Sequence, residues 1–256
     1  AAQAGFLPIP GQGDLLYADM RSPLVLIEDA LQRIKEPFAS DEAVVAAVLS
    51  TRPSLRRAIA NLFPGKLLLC FDMEAINAGL IEKVRARNGV ADVPPAEKRY
   101  GKFMCVPYGK ILADTIVPNT VTKALHADKV FHADESGFDI TESPGYSLLV
   151  NQVKTLKSFR RPVLLIDDLL HNGYRLEKLD PLFRQEGVEI ERIIVGVLSG
   201  RGLDLMREQN REVDCEYFIP NMLYWFTESL LFPFIGGDSV SGEIGDRDYP
   251  PSINLI

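Results

Sequence analysis

The sequence predicts an α/β fold, in which a mostly parallel central sheet is flanked by helices and follows an N-terminal helical extension. Short continuous apolar runs, such as LLLCF at residues 67–71 and VLLI at residues 163–166, are typical of strands buried on both faces. Segments with helical spacing alternate with these runs. A chain of 256 residues is long enough to bury a substantial core around such a sheet.

Composition and charge limit the kinds of partner. Lysine and arginine total 28 and aspartate and glutamate total 35, so the net charge of −7 indicates no overall attraction to nucleic acid or anionic lipid. Cys70, Cys105 and Cys215 form no CxxC motif, which speaks against a disulfide framework and favours a reducing, cytoplasmic location. No apolar stretch is long enough to span a membrane, because the richest one is interrupted by an acid and a proline.

Residues 1–65 are predicted to form the helical extension. The first 14 residues are rich in glycine and proline and are expected to be irregular. Residues that favour the first turn of a helix predict three helices, which begin at Ser22-Pro23, at Ser40-Asp41 and at Arg52-Pro53. The chain begins without an initiator methionine and without a signal-peptide layout, so we expect a processed start or a longer polypeptide.

Residues 66–256 are predicted to form the α/β domain. Its first half is expected to hold strands at 67–71, 103–107, 111–117 and 129–133, and helices at 74–89, 120–126 and 146–159. The polar residues 134–146 contain two glycines and a proline and are predicted to be a mobile loop. A strand at 162–166, a helix at 172–186 and a strand at 190–198 then predict a βαβ unit with parallel strands and a right-handed crossover.

The segment VLLIDDLLHNGYR, residues 163–175, joins the first strand of this unit to its helix. Ligands of open α/β sheets bind beyond the carboxyl ends of the strands, where Asp167 and Asp168 stand. Two carboxylates can accept hydrogen bonds from the hydroxyl groups of a ribose, or contact a magnesium ion through water. Gly173 permits close approach of the backbone, and the free N–H groups of the next helix attract an anion. The order of these features predicts a site for a phosphorylated ribose.

This segment resembles the ribose-phosphate loop of the type I phosphoribosyltransferases. The resemblance lies in four apolar residues, the acidic pair Asp167-Asp168, two leucines and Gly173. His171 and Asn172 stand where the family usually has small or hydroxyl residues, and Arg175 stands where threonine or serine is commonest. His171 and Asn172 are where the chain departs from the pattern, which tolerates arginine at position 175.

The resemblance implies a phosphoribosyltransferase-like fold and a glycosyltransferase that uses phosphoribosyl diphosphate or a nucleotide, with Mg²⁺ carried by the substrate diphosphate. It implies that Asp167 and Asp168 are catalytic and hold the ribose. It implies that the 5′-phosphate is bound by His171, Asn172, Gly173, Tyr174 and Arg175. A homodimer is also expected, since dimers are common in this family.

A second loop of the family binds the diphosphate, and two places in this chain qualify. Residues 118–123 follow a predicted strand. Asn119 and Thr120 can cap the start of a helix there, and Lys123 offers a positive charge. Residues 72–74 are the less suitable alternative, because two acids repel a diphosphate.

Three further segments are expected near the same edge of the sheet. Arg201 follows the strand at 190–198, where it either contacts a phosphate or belongs to a plain turn. Residues 134–146 either close over the substrate, as the family's flexible loop does, or form a surface loop. The aromatic residues between 217 and 234 either stack on an acceptor base or form core or dimer contacts, and Gly236-Gly237-Asp238 is another candidate loop.

Two other functions remain open beside the transferase. The chain could be a sensor that binds phosphoribosyl diphosphate or a nucleotide without turnover, which the larger side chains of His171 and Asn172 favour. It could also be a structural module that keeps only the scaffold. The sequence does not identify the acceptor.

Overall fold

The computed structural model describes residues 21–34, 36–90, 100–109, 111–112, 117–132 and 137–228, together with the backbone of short terminal strands. The strands are β1 Phe6–Leu7, β2 Leu16–Tyr17, β3 Asp19–Glu28, β4 Lys66–Asp72, β5 Met104–Pro107, β6 Val121–Thr122, β7 Ala127–Phe131, β8 Phe138–Glu142, β9 Val163–Leu170, β10 Ile190–Ser199, β11 Val213–Ile219, β12 Tyr224–Thr227, β13 Gly242–Ile244 and β14 Arg247–Tyr249. The α-helices are α1 Ala30–Arg33, α2 Glu42–Leu62, α3 Met73–Asn88, α4 Leu149–Ser158, α5 Tyr174–Glu186 and α6 Gly200–Glu208.

The chain divides into two compact units. The first contains residues 1–74, 219–238 and 253–256, and the second contains residues 75–218 and 239–252. No helix in the described part of either unit has the length and apolar character needed to cross a membrane.

The first unit is built on a three-stranded parallel sheet in the order β12-β3-β4. Leu24 and Leu26 of β3 and Ile59 of α2 form its buried core, against which Phe63 and Phe226 also pack. Strands β3 and β4 lie on either side of the predicted division between residues 65 and 66, and they pair from Leu24–Leu68 to Glu28–Asp72. The sheet is therefore continuous across that division.

The helix predicted to begin at Ser22-Pro23 is wrong, because residues 19–28 form strand β3 and only Ala30–Arg33 are helical. Residues 24–27 are all fully buried, so every side chain in this apolar run is covered, as in a central parallel strand. The two helices predicted at Ser40-Asp41 and Arg52-Pro53 are one helix, α2, which Asp41 caps and which continues through Pro53.

The second unit is built on a five-stranded sheet in the order β11-β10-β9-β5-β6. Strand β9 is parallel to β5 and β10, and β5 is parallel to β6. The predicted βαβ unit is present as β9, α5 and β10, and Gly187 ends α5 in the left-handed conformation, as expected. The mostly parallel sheet flanked by helices that the sequence predicts is confirmed.

Two local predictions in the second unit are wrong. Residues 120–126, predicted as a helix, contain strand β6, whose Val121 pairs with Met104 of β5. The β-branched residues Val121 and Thr122 fit this ladder better than a helix. Five of the thirteen residues of the mobile loop predicted at 134–146 form strand β8, which pairs with β7 in an antiparallel hairpin. Residues 133–136, and most of the strand predicted at 111–117, lie outside the described residues.

Candidate functional site

The strand order of the second unit places a topological switch point between β5 and β9, where an open α/β sheet is expected to have a crevice. Numbered along the chain, the five strands lie in the order 2-1-3-4-5, so the connections run in opposite directions on either side of β5 and β9. Ligands of open α/β sheets bind at such a switch point, beyond the carboxyl ends of the strands. Strand β5 ends at Pro107, which pairs with Ile166, whereas β9 continues along β10 to Leu170. Asp167 and Asp168 therefore lie beside the crevice.

Asp167 is buried, and its environment is polar. Its Oδ1 accepts the backbone N–H of Asp168 at 2.9 Å and forms an ion pair with the guanidinium of Arg175. Burial raises the pKa of Asp167 to about 8, although the positive charge of Arg175 opposes this rise. Asp167 is thus an internal carboxyl group whose pKa is raised by burial and lowered by the Arg175 guanidinium of α5.

Asp168 is half-buried and differs from Asp167 in its surroundings. Successive side chains of a strand point to opposite faces of the sheet. Oδ1 of Asp168 accepts the backbone N–H of Leu169 at 2.8 Å. The side chains of the two acids still interact, since the charge of Asp168 and a hydrogen bond with its side chain both raise the pKa of Asp167. They differ in exposure, and Asp168 is the more accessible to a ligand.

The segment after β9 forms the start of α5 as predicted. Gly173 occupies the N-cap position with φ 70°, and no side chain caps this helix among the described residues. This φ strains any residue with a β-carbon, and a β-carbon on Gly173 would also lie 2.2 Å from the end of the Leu205 side chain. The N–H groups of Tyr174, Arg175 and Leu176 belong to the first turn, which has no intrahelical acceptors and favours an anion.

His171 connects this loop to the start of α6. Its Nδ1 lies 2.8 Å from the Ser199 hydroxyl, which also accepts the Gly202 N–H at 3.0 Å and so caps α6. Burial and the nearby charge of Arg201 lower the pKa of His171, which favours the neutral ring at neutral pH. Oδ1 of Asn172 is buried without a hydrogen-bond partner in the described part of the chain. The structure thus brings Arg201 to the same edge as the loop at 171–175.

The structure places Asn119 and Thr120, two of the three predicted diphosphate residues, away from this edge. Asn119 and Thr120 precede β6, in which Val121 pairs with Met104 of β5. Met104 in turn pairs with Val163, the first residue of β9. Asn119 and Thr120 therefore lie at the amino end of the sheet. The Asn119 carbonyl accepts the Gly101 N–H at 2.9 Å, and the Lys123 N–H donates to Cys105 within the ladder.

The segment after β5 borders the crevice, and the sequence interpretation missed it. The Tyr108 hydroxyl is buried and has no hydrogen-bond partner among the described residues, while the Arg175 guanidinium carbon lies 5.1 Å from the centre of its ring. Gly109 has φ 57°, and among the described residues no atom beyond its chain neighbours lies within 4 Å of the place where its β-carbon would be. The available signal was an apolar run, MCVP, followed by Tyr108-Gly109.

The β7–β8 hairpin lies against the beginning of α5. The ring of Phe138 contacts Tyr174 edge-on at 5.6 Å, and Lys178 approaches Asp139 at 3.8 Å. The aromatic residues predicted near the site divide between the two sheets, since Tyr217 and Phe218 belong to β11 and residues 224–226 belong to β12. Phe232, Phe234 and the loop at 236–238 lie outside the described residues.

Close packing of α6 against the end of β9 leads to a first prediction. A β-carbon on Gly202 would lie 2.4 Å from the backbone oxygen of Leu170, so Gly202→Ala is expected to lower the free energy of unfolding by about 1–3 kcal/mol. Gly137→Ala is the control, because its β-carbon would meet only the His132 ring at 3.4 Å. Urea unfolding measures both, and equal stabilities of the two variants would contradict the packing.

The raised pKa of Asp167 predicts a pH dependence of stability. An unfolded aspartate has a pKa of about 3.9, so the folded chain binds more protons between about pH 4 and pH 8. The contribution of Asp167 to stability is therefore complete below about pH 4 and is lost as the pH rises towards 8. We expect the difference in unfolding free energy between native chain and Asp167→Asn to change with this sign, measured by urea unfolding at several pH values. A constant difference would contradict it.

Comparison with solved structures gives similarities at low identity. A purine phosphoribosyltransferase from Pyrococcus horikoshii Ot3 is 15% identical, with 60% of this chain and 87% of that chain covered and a TM-score of 0.32. An adenine phosphoribosyltransferase from Thermoanaerobacter pseudethanolicus is 12% identical, with 61% and 92% covered and a TM-score of 0.34. A hypoxanthine phosphoribosyltransferase from Staphylococcus aureus is 18% identical, with 59% and 77% covered and a TM-score of 0.34.

No protein-family model matches the chain, and no curated protein matches it. The three solved structures are named as phosphoribosyltransferases, which is the family that the segment VLLIDDLLHNGYR resembles.

Proposed function

We propose that the crevice between β5 and β9 binds the phosphorylated ribose of phosphoribosyl diphosphate and that the chain transfers this phosphoribosyl group to an acceptor. The observation that carries the proposal is the placement of Asp168 and the uncapped start of α5 on one side of a topological switch point. The carboxylate accepts hydrogen bonds from the ribose hydroxyls. The N–H groups of residues 174–176 bind the 5′-phosphate.

In this reaction the bond between C1 of the ribose and the diphosphate oxygen breaks, and the electron pair leaves with the diphosphate. The acceptor, such as a nitrogen of a base, forms the new bond to C1 and loses its proton to solvent. Catalysis by the protein consists mainly of holding the reactants in line and stabilising charge. Asp168 and the loop at 171–175 provide that positioning of the ribose.

Magnesium fits this arrangement as an ion that the substrate carries. No group of three or more histidine, cysteine, aspartate or glutamate side chains in the described residues could hold a metal ion by itself. Mg²⁺ commonly keeps several waters and binds through substrate phosphates and one or two carboxylates. Asp168 is the half-buried carboxylate at the crevice that suits such a contact, and the ion would offset the charge of the leaving diphosphate.

The diphosphate is proposed to lie beside the segment after β5. Gly109 is half-buried and has a positive φ and open space beside its α-carbon at the crevice, whereas Asn119 and Thr120 lie at the amino end of the sheet. We therefore propose that Tyr108-Gly109, and not Asn119 and Thr120, border the diphosphate.

A sensor without turnover is the second candidate. The observation that favours it is the contact between His171 and Ser199, which holds the imidazole at the place where family members have small residues. A ring fixed there narrows the space for a reacting sugar but leaves the phosphate site at α5 open.

Calorimetric titration with phosphoribosyl diphosphate, with and without Mg²⁺, tests the proposal. We expect saturable binding to the native chain and its loss in Asp167→Ala/Asp168→Ala. Asp204→Asn, an exposed acid on α6, is the matched control and should bind as the native chain does. Binding that persists in the double variant would refute the ribose contact. Diphosphate release with any of a panel of bases indicates the transferase, whereas binding without release indicates the sensor.

A further inference from the structure

A basic patch lies at the amino end of the five-stranded sheet, opposite the end at which the ribose is proposed to bind. It is formed by α4 and by the segments that enter β5 and β9. Its cations are Lys102, Lys154, Lys157, Arg160 and Arg161. Arg161 joins the two segments, because its guanidinium donates to the backbone oxygens of Gly101 and Lys102.

The five cations of the basic patch form no ion pair with a carboxylate of the described residues. Elsewhere in this acidic chain, arginines have carboxylate partners, as Arg192 and Arg211 do. Lys157 instead donates to the backbone oxygen of Gly187, and Lys102 lies 5.0 Å from the centre of the Phe103 ring. The charge of the patch is therefore not compensated by ion pairs, and it favours a partner with several negative charges.

Two aromatic side chains are exposed among these cations. Tyr100 directly precedes the segment that Arg161 contacts and is 54% exposed, and Phe159 directly precedes Arg160 and is 41% exposed. Exposed rings beside cations are the combination that binds single strands of nucleic acid, in which bases stack on the rings while the cations contact phosphates.

The backbone of Arg160 adopts a conformation that favours glycine. Arg160 follows Phe159, the C-cap of α4, with φ 53°, and its N–H donates to the Lys157 carbonyl at 3.0 Å. Glycine is the usual residue at this position after a helix, because it has no β-carbon to strain. An arginine here costs stability that glycine would not, so its side chain has a role outside the fold.

We propose that the basic patch binds single-stranded nucleic acid. Its cations contact the phosphates, and Tyr100 and Phe159 stack on bases. The partner is single-stranded, because the bases of a duplex already stack on one another and offer no free face to these rings. The net charge of −7 confines the attraction to the patch. The inference does not depend on the proposed function, because the patch lies at the other end of the sheet.

Fluorescence anisotropy with a labelled oligothymidylate of about ten nucleotides tests the inference, and an oligouridylate of the same length distinguishes DNA from RNA. We expect saturable binding that weakens steeply with salt. Each phosphate contact contributes about 0.7 to the slope of log affinity against log salt concentration. Five contacts therefore weaken the binding by about 100-fold when the salt concentration rises fourfold.

Two variants separate the roles of the cations and the rings. Arg160→Gly is expected to weaken binding and to lower the salt slope by about 0.7, while its urea unfolding midpoint hardly changes, because glycine adopts this φ without strain. Tyr100→Ala is expected to weaken binding by about 5–100-fold and to leave the salt slope unchanged. Arg57→Ala removes an exposed cation of the first unit and should bind as the native chain does.

Three results would overturn the inference. The first is the absence of oligonucleotide binding to the native chain, including the case in which the chain sediments with vesicles of anionic phospholipid instead. The second is binding that Arg160→Gly and Tyr100→Ala both leave unchanged. The third is displacement of the bound oligonucleotide by ribose 5-phosphate, which would place the oligonucleotide at the start of α5.

Discussion

Replacement of Arg52 by leucine is expected to lower the free energy of unfolding by about 3–5 kcal/mol, because it leaves Glu228 as an uncompensated buried charge. The Glu228 side chain is fully buried, and its carboxylate receives two hydrogen bonds from Arg52 at 2.9 and 3.0 Å. The N–H of Ala30 donates to the same carboxylate at 2.9 Å. This contact joins the ends of β3 and β12 to α2 in the first unit.

Two further variants separate the lost ion pair from a general effect of the substitution. Arg57→Leu removes an exposed arginine from the same helix and should change stability by less than about 0.5 kcal/mol. Arg52→Leu/Glu228→Gln removes both charges and should recover much of the loss. Urea unfolding gives the three values, and a double variant no more stable than Arg52→Leu would contradict the explanation.

Replacement of Asp168 by asparagine is expected to weaken the binding of phosphoribosyl diphosphate by about 10–100-fold. The reason is that hydrogen bonds to a charged group contribute about 1.5–3 kcal/mol, whereas an asparagine oxygen is neutral. Stability should hardly change, since Asp168 is half-buried and accepts one backbone N–H in the described structure. Asp167→Asn is the matched control, because it alters the internal carboxyl group and leaves the ribose contact in place.

Titration calorimetry of the two asparagine variants measures this difference. Asp167→Asn is expected to bind with an affinity close to that of the native chain at neutral pH. Equal weakening in both variants would show that the acids act as one pair, as the sequence interpretation assumed, and would contradict the separate roles that their burial supports.

In the second unit, the sequence alone predicts the elements correctly where local signals agree with the tertiary structure. The run VLLI, the acidic pair and Gly173 place a strand, a turn and a helix in succession, and β9 and α5 follow that order. Gly173 adopts φ 70°, a backbone conformation that strains residues with a β-carbon, so a glycine is expected at this turn. Local features of this kind can be recognised without knowledge of distant contacts.

Predictions failed where distant pairing decides the structure. Residues 24–27 fit a helix by their spacing. In the structure they pair along one edge with β4 and along the other with β12, two strands that lie far apart in the sequence. Val121-Thr122 became a strand for the same reason, because β5 supplies its partners. The different environments of Asp167 and Asp168 depend on Arg175 and on burial, and neither is visible in a pair of adjacent acids.

Amide NMR during titration with ribose 5-phosphate shows whether a ribose phosphate binds at the start of α5. We expect the largest saturable shifts at the N–H groups of Gly173, Tyr174 and Arg175, with smaller changes at Gly109. Saturable binding that leaves these amides unmoved, or that shifts only amides of the first unit, would contradict binding at this helix.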